Sequence, residues 1–250
     1  MKKFFALLLA LAMILALSAC GEKQQEPSNE GDEQDNTPAQ TFNFKVSITQ
    51  ASTDPLATYT QQWMDEVTEK TNGAVTFEFH PNGELGTIND VCEQISRGAS
   101  IIAYAGPDAF MATAPDLAIL NSQYCLTDAS QIDLINDSDW FKGQVDNLAA
   151  NGNARILSWN YFTGYRHILS KTPINTPDDL KGKKIRVQQS PASVDMVNAF
   201  GAAAAPMGFG EVYTAIQQGV IDGAENNELA LTNNKHGEVA KYYTYNKHQM

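Results

Sequence analysis

The folded part of the chain opens with apolar residues at every second position, which is the spacing of a β-strand. These residues are Phe42, Phe44, Val46 and Ile48. A helix is predicted to follow from Asp54, with an apolar face made of Leu56, Tyr59, Trp63 and Val67. A second strand over Val75–Phe79, a helix that ends at Gly98 and a third strand over Ile101–Ala105 follow. Strands that alternate with helices predict parallel pairing in an α/β lobe.

The residues after position 128 predict the segment that connects this lobe to the rest of the chain. Asp128–Ala150 has a helical pattern with a break near Asp137–Asp139, and Ala154–Tyr161 is predicted to be a strand. Trp140 is predicted to be a core residue rather than a platform for a ligand. In the connector that follows, Thr176 is predicted to cap a short helix.

The densest pattern lies between Lys183 and Asn227 and predicts the order strand, helix, strand, helix, strand. Ile185 and Val187 share one face of the first strand, so Arg186 points to the other face. The remaining predicted boundaries are a helix from Ser190 to Gly201, a helix that stops at Gly219, a strand over Val220–Asn226, a helix over Leu229–Val239 and an extended segment over Lys241–Asn246.

Arg186 is the first candidate for ligand contact. In open α/β sheets the ligands bind beyond the carboxyl ends of the strands, and Arg186 lies near such an end. A guanidinium in a short strand must be paired or face a cleft, and its planar fork matches a carboxylate. The residues alone leave a structural ion pair with an acidic side chain as the alternative.

The first 40 residues are predicted to lie outside the fold. Lys2 and Lys3 precede an apolar run of 14 residues, Phe4–Leu17, and the sequence then reads Leu-Ser-Ala-Cys up to Cys20. A membrane-spanning helix needs about 20 apolar residues, so residues 1–20 are assigned to a signal peptide. Residues 21–40 contain six acidic residues, one lysine and no large apolar residue. They are predicted to be a disordered acidic tether.

Charge and motifs exclude several classes of function. The net charge is −12, and without the −5 of the tether and the +2 of the signal peptide the folded part carries −9. Such an acidic body argues against nucleic acid as a partner, but a local group of arginines can still bind an anion. The sequence contains no nucleophile elbow, P-loop, His-Glu-x-x-His or Gly-x-Gly-x-x-Gly motif, and its histidines and cysteines show no metal-ligand spacing. No cofactor or metal is therefore expected.

Cys92 and Cys125 are the cysteines that remain after Cys20. A disulfide between them is the alternative that an exported protein permits. Cys92 occupies an apolar position of its predicted helix, where a free cysteine packs as a small hydrophobic residue. The two are therefore predicted to be unpaired.

Three runs resemble the solute-binding subunit of TRAP transporters, the DctP-like family. They are Thr-Pro-Asp-Asp-Leu-Lys-Gly-Lys-Lys-Ile-Arg-Val at 176–187, the run from Pro206 to Asn226, and Glu84-Leu85-Gly86. The resemblance implies an α/β, two-lobe periplasmic-binding-protein-like fold with a ligand cleft between the lobes. Lobe 1 is expected over residues 41–160 and lobe 2 over 161–245, and residues 246–250 are expected to start a crossover back to lobe 1. Because more chain follows this point in the family, the C-terminal part of the fold is expected to be missing.

The same resemblance assigns roles to four residues. Arg186 matches the arginine that clamps the substrate carboxylate, and Arg166 matches a second cationic contact. Asn226 matches an asparagine that hydrogen-bonds the ligand, and Phe209 matches an aromatic residue beside it. For Arg166 a surface position in a strand stays the alternative, and for Phe209 a place in the core.

The first lobe and one departure from the family complete the expected site. The family motif often reads Glu-Asn-Pro, whereas Asn227 follows Asn226 here, and the loss of proline is expected to loosen the turn. Contacts around Thr49–Thr53 and Ala105–Asp108 are expected to determine which ligand is bound.

The resemblance predicts an extracytoplasmic receptor that captures an organic acid, a C4-dicarboxylate or a related carboxylate, and delivers it to TRAP membrane subunits. Leu-Ser-Ala-Cys resembles a lipoprotein box, so Cys20 is predicted to carry a lipid anchor at the outer face of the cytoplasmic membrane or in the periplasm. A plain signal peptide is the alternative to this anchor. The alternative functions are a ligand-sensing lipoprotein and an exported enzyme that acts on a carboxylate.

Overall fold

The computed structural model describes residues 40–159 and 162–250. The predicted signal peptide, Cys20 and nearly all of the predicted tether lie outside these residues. The strands of the described part are β1 Phe42–Ser47, β2 Val75–His80, β3 Ile101–Ala103, β4 Arg166–Ser170, β5 Lys184–Val187, β6 Ala203–Pro206, β7 Gly223–Asn227 and β8 Tyr242–Gln249. The α-helices are α1 Pro55–Lys70, α2 Ile88–Ser96, α3 Ser130–Asp137, α4 Asp139–Asn151, α5 Pro191–Ala199, α6 Val212–Gln217, α7 Glu228–Asn233 and α8 His236–Val239. Short 3₁₀ helices are Pro107–Phe110, Pro115–Asn121, Pro177–Leu180 and Phe209–Glu211.

The first sheet is parallel and has the strand order β2-β1-β3. Val46 in the central strand is fully buried, as the alternation of apolar residues predicts. Asp54 caps α1 by accepting a hydrogen bond from the Leu56 amide, and Pro55 occupies the first turn. The predicted β-α-β-α-β series is therefore confirmed, although β3 ends at Ala103, two residues early.

The second sheet has the strand order β6-β5-β7-β4-β8. β5 pairs in parallel with β6 and β7, whereas β4 runs antiparallel to β7 and β8. Ile185 and Val187 pack with α5 in an apolar cluster on one face of the sheet, and Ile168 of β4 belongs to the same cluster. The next residue of β4, Leu169, belongs to a second cluster on the opposite face. The order of elements predicted between Lys183 and Asn227 is confirmed, and Arg186 points away from its two apolar neighbours.

The predicted strand over Ala154–Tyr161 is wrong for the residues that the structure describes, because residues 154–159 form no strand. The side chains of Ile156 and Trp159 instead pack on a cluster around Leu117 and Phe141. Their apolar spacing thus reflects contact with helices rather than the pleat of a sheet. The break predicted near Asp137–Asp139 is confirmed at Ser138, which caps α4.

Two burial predictions are also wrong. Trp140 is 40% exposed, because the next residue in α4, Phe141, is the one that points into the core. In α1 the buried face consists of Leu56, Ala57, Thr60 and Met64. Tyr59 is exposed, and Trp63 packs against Phe77 with 5.1 Å between the ring centroids and 46° between the ring planes.

The last predicted helix is interrupted. Lys235 adopts a left-handed conformation with φ of 61° and separates α7 from α8, so Leu229–Val239 does not form one helix. The extended segment after it is confirmed as β8, which runs through Gln249 along β4. Residues 246–250, the predicted start of the crossover, therefore overlap the end of this edge strand.

Cys92 and Cys125 are both free, the first buried and the second exposed. This agrees with the prediction that they are unpaired. None of the helices in the described part of the chain has the length and apolar character that crossing a membrane requires.

Candidate functional site

The second sheet brings the predicted site residues together because their strands are neighbours. Arg186 lies in β5, Asn226 in β7 and Arg166 at the start of β4, and these strands are adjacent. Arg166 Nη1 donates to Asn226 Oδ1 over 2.8 Å. Phe209 follows β6, and its ring centroid lies 5.7 Å from the Arg186 guanidinium carbon. All four predicted residues therefore belong to one cluster.

Arg186 is a buried cation with one edge in use. Only 3% of the residue is exposed, and its Nε–H and an Nη2–H both donate to the Met207 carbonyl, over 3.1 and 2.8 Å. No carboxylate of the described residues lies within 4.0 Å of its guanidinium. Of its five N–H groups, the two on Nη1 and one on Nη2 make no hydrogen bond within the described part of the chain.

Burial lowers the pKa of Arg186 to about 10; the charges of Glu225 and Glu211 oppose this effect, and the charge of Arg166 adds to it. The group still carries its charge near neutral pH. Burying a charge without a partner costs free energy that an incoming anion can recover. The free edge of Arg186, formed by Nη1 and Nη2, has the geometry that accepts a carboxylate through two parallel hydrogen bonds.

In contrast to Arg186, nearly all N–H groups of Arg166 already donate hydrogen bonds within the protein. Its Nε and Nη2 donate to the two carboxylate oxygens of Glu225 over 2.7 and 2.8 Å. Nη2 also donates to the Glu225 carbonyl, and Nη1 donates to Asn226. Four of the five N–H groups of Arg166 are thus engaged, and one remains for a ligand.

Glu225 is a site residue that the sequence analysis did not identify, because its partner Arg166 lies 59 residues earlier in the chain. It is 1% exposed, and His248 Nε2 lies 3.3 Å from its Oε2. Burial raises the pKa of Glu225, but the charge of Arg166 and hydrogen bonds from His248 and Arg166 outweigh this effect and hold it at about 2. The carboxylate therefore pairs directly with Arg166, whereas Arg186 has no carboxylate within 4.0 Å in the described part of the chain.

Asn226 is held in one orientation by the donors around its oxygen. Its Oδ1 accepts from Arg166, from the Asn227 amide over 2.8 Å and from Asn227 Nδ2 over 3.4 Å. The Nδ2 group of Asn226 makes no hydrogen bond with other described residues. It therefore has two N–H donors to offer a ligand oxygen.

Asn227, which replaces the family's proline, has a structural role of its own. Its Oδ1 accepts from the Ala230 amide over 2.8 Å and so caps α7, and its Nδ2 donates to Thr163. Asparagine is among the best residues for such a cap. The turn is therefore fixed by side-chain hydrogen bonds in place of a proline ring.

Phe209 belongs to the core and to the site at once. It packs against the cluster that contains Val212 and Ile216, while its ring also lies beside Arg186. On its other side, the buried His236 meets the ring edge to face, with 5.3 Å between the centroids. Burial, helped by the charge of Arg186, lowers the pKa of His236 to about 4, so this histidine is neutral near pH 7.

The helix α2, which follows β2 of the first sheet, contacts this region. Asn89 Nδ2 donates to the Gln189 carbonyl over 3.0 Å. No recorded hydrogen bond joins the described segments Thr49–Thr53 or Ala105–Asp108 to the four predicted residues. The described residues also contain no group of three or more His, Cys, Asp or Glu side chains that could hold a metal ion.

The mixed α/β fold with two sheets is similar to that of TRAP periplasmic solute-binding proteins. The chain belongs to the bacterial extracellular solute-binding proteins of family 7, the DctP family, whose family model matches residues 46–250. The predicted family and the predicted two-lobe fold class are thereby confirmed.

Individual relatives agree with this assignment. The chain is 32% identical over 190 residues to the C4-dicarboxylate-binding periplasmic protein DctP of Rhodobacter capsulatus, a match that covers 74% of this chain and 55% of that protein. The chain thus spans little more than half the length of the curated relatives it matches. Two crystal structures of TRAP periplasmic solute-binding proteins, from Ochrobacterium anthropi with L-fuconate and from Actinobacillus succinogenes with L-galactonate, are each 34% identical to it. Their TM-scores are 0.80 and 0.79, and the matches cover 84% and 83% of this chain and 69% and 68% of theirs.

Proposed function

We propose that this protein is the receptor of a TRAP-type transporter, which captures a small organic acid outside the cytoplasm and delivers it to membrane subunits. The observation that carries the proposal is the Arg186 guanidinium, which is buried, charged and free along one edge. A ligand carboxylate on this edge gains two charge-assisted hydrogen bonds in a site from which water is excluded.

The ligand that we propose has one carboxylate and several hydroxyl groups, as in a sugar acid. Arg166 and Glu225 cancel each other's charge, so the second sheet offers the ligand one positive charge. The loops that follow β1, β2 and β3 have no lysine or arginine at residues 48–54, 81–87 and 104–110. A second carboxylate would therefore lack a cation there, whereas hydroxyl oxygens can accept from Asn226.

A ligand with one carboxylate agrees with the relatives that bind sugar acids and not with the relative that is named for C4-dicarboxylates. L-Fuconate and L-galactonate, the ligands of the two crystal structures, carry a single carboxylate. The name of the Rhodobacter capsulatus relative specifies C4-dicarboxylates, the ligand class that the sequence also suggested. The charge of the site supports the former.

The site residues support binding rather than turnover. Glu225 is ionised and paired with Arg166, and His236 is neutral and buried, so neither is placed as a general base near the free edge of Arg186. We therefore propose that the protein is not an enzyme. We also propose that Cys20 becomes a lipidated first residue that keeps the receptor at the membrane surface.

The test is titration calorimetry of the full-length protein, stripped of bound ligand by unfolding and refolding. The acid that co-purifies with the native protein is identified by mass spectrometry and compared with L-galactonate, its neutral amide and succinate. We expect binding of the singly charged acid and at least tenfold weaker binding of the amide and of succinate. Equal affinity for acid and amide would refute the role of Arg186, and a preference for succinate would refute the single-charge assignment alone.

A further inference from the structure

The start of α2 forms a rigid turn at the edge of the first lobe. Thr87 Oγ1 accepts from the Asp90 amide, and Asp90 Oδ2 accepts from the Thr87 amide over 2.8 Å. These reciprocal hydrogen bonds form a capping box, which holds the first turn of the helix. Residues 87–89 therefore present their outer side chains from a fixed backbone.

Two side chains of this turn contact the second lobe. Asn89 Nδ2 donates to the Gln189 carbonyl over 3.0 Å, across 100 residues of sequence. Thr87 lies against Gly208, where an added Cβ would be 3.4 Å from Thr87 Cγ2 and 3.0 Å from Glu211 Oε1. Gly208 has φ of −58° and ψ of 149°, which any residue adopts, so only the closeness of Thr87 and Glu211 restricts the size of the side chain there.

The two contact points, Gln189 and Gly208, lie close in sequence to Arg186 and to Met207, whose carbonyl accepts hydrogen bonds from Arg186. Gln189 is three residues after Arg186, where the chain leaves β5. Gly208 directly follows Met207, whose carbonyl accepts both hydrogen bonds from the Arg186 guanidinium. A displacement of either loop would therefore move the free edge of Arg186.

First-lobe residues also contact the second sheet elsewhere, since the Tyr124 amide donates to the His248 carbonyl and Gln249 donates to Asn121 at the end of β8. We propose that the turn Thr87–Asn89 is the docking point of the first lobe on the loops that hold Arg186, away from these contacts with β8, and that Asn89 is a positioning residue for the ligand site. It acts through the Gln189 backbone, so its amide holds the loop after β5 against α2 and thereby limits how far the lobes separate at this point. The inference goes beyond the proposed function, because it concerns how the two lobes meet and does not depend on which acid is bound.

The test measures the distance between the lobes in the ligand-free full-length protein by double electron–electron resonance. Spin labels are placed at the exposed positions of Gln62→Cys on α1 and Asp195→Cys on α5, with Cys20→Ser and Cys125→Ser to remove competing thiols. Cys92 can stay, because burial raises its pKa to about 11 and keeps it as an unreactive thiol.

Asn89→Asp is the decisive variant because it has the same shape but replaces the donor with an acceptor that faces a carbonyl. An acidic residue in the first turn of a helix is favourable, so α2 itself is not weakened. We expect Asn89→Asp and Asn89→Ala to shift the distance distribution outwards by more than ~2 Å, the scale of a domain rearrangement. Gly208→Val should have the same effect through its added bulk.

Asn153→Ala is the matched control. Asn153 Nδ2 also donates to a backbone carbonyl over 3.0 Å at an exposed position, but its acceptor Ser96 belongs to the first lobe. Its distance distribution should equal that of the wild type. Unchanged distributions for both Asn89 variants, or an equal shift for Asn153→Ala, would overturn the proposal. Neither result would affect the proposed function, which rests on the affinity for acid and amide.

Discussion

Arg166 and Arg186 are the same type of residue in one sheet, but their partners give them different properties. The side chain of Arg166 forms a buried ion pair with Glu225, with 11% and 1% of the two side chains exposed. Arg186 has a backbone carbonyl and an aromatic ring as its neighbours, and no carboxylate among the described residues lies within 4.0 Å of it. Arg166 therefore contributes to the stability of the fold, whereas Arg186 keeps N–H donors that are free to bind a ligand.

Replacing each arginine with methionine should separate these roles. Arg186→Met removes an uncompensated buried charge, so we expect an affinity about 30-fold to several-thousand-fold weaker and an unchanged or higher Tm. Arg166→Met removes the main cationic partner of the buried Glu225 and leaves it with His248 alone, which should cost about 3–5 kcal/mol of stability. Calorimetry and thermal unfolding of the same two variants measure both effects. A large drop in Tm for Arg186→Met would mean that its charge is compensated after all.

The pKa shifts predict that the protein loses stability in acid in two steps. His236 has its pKa lowered to about 4, so from pH 6.5 down to 4 the unfolded chain binds a proton that the folded chain refuses. Glu225 has its pKa lowered to about 2, and its contribution is lost as the pH falls from 4.5 towards 2. Both signs make the folded state weaker at low pH.

The two steps can be told apart with a single variant. His236→Phe should remove the decline between pH 6.5 and 4, which amounts to about 2–3 kcal/mol in the wild type, and leave the decline below 4.5. The measurement is urea unfolding of both proteins at half-unit steps of pH. Parallel curves for the two proteins between pH 6.5 and 4 would show that His236 does not titrate in this way.

At the scale of elements, the sequence correctly predicted the strands and helix starts that depend on neighbouring residues alone. β1, β2 and β5 follow from alternation, and the starts of α1 and α5 follow from the pairs Asp54-Pro55 and Ser190-Pro191. The segment after Ala154 was mispredicted because its apolar side chains pack on helices that a local pattern does not contain. The same limit explains Trp140, since only the packed helix pair decides which of two adjacent aromatic residues faces inwards.

Gly223 in β7 illustrates a constraint that appears only after strands pair. A Cβ at this position would lie 2.3 Å from the Leu169 carbonyl oxygen and 3.0 Å from Ser170 Cα, both on the neighbouring β4. Gly223→Ala should therefore destabilise the protein by at least about 2–3 kcal/mol, because backbone atoms must move. Gly237→Ala is the control, since no atom lies within 4 Å of its added Cβ. Equal urea midpoints for the two variants would contradict the close approach of β7 and β4.

At the scale of the whole molecule, the order of strands assembles the site. Sequence reasoning identified Arg186, Phe209 and Asn226 because they lie in runs that resemble the family, and it matched Arg166 to a cationic contact of the family outside those runs. It missed Glu225 as the partner of Arg166, since that pairing depends on the antiparallel register of β4 and β7. It also missed His248, which reaches Glu225 only because β8 lies on the other side of β4.

The predicted lipid anchor at Cys20 concerns the location of the whole protein. Cys20→Ser should release the protein from the membrane fraction, because the lipid that would retain it can no longer be attached. Fractionation followed by immunoblotting measures this, with Cys125→Ser as a control that leaves the lipoprotein box intact. If wild type and Cys20→Ser fractionate alike, the anchor is refuted, while the ligand site is unaffected.

The charges around Arg186 have a calorimetric consequence. The pKa values of Arg186, Glu225 and His236 are about 10, 2 and 4, so none of these groups changes protonation near pH 7. A carboxylate that enters the site is ionised already, and its arrival gives none of these three groups a reason to gain or lose a proton. The heat of binding at pH 7 should therefore be the same in phosphate and in Tris, two buffers with very different enthalpies of ionisation. Capture of the acid would then leave the proton balance outside the cell unchanged.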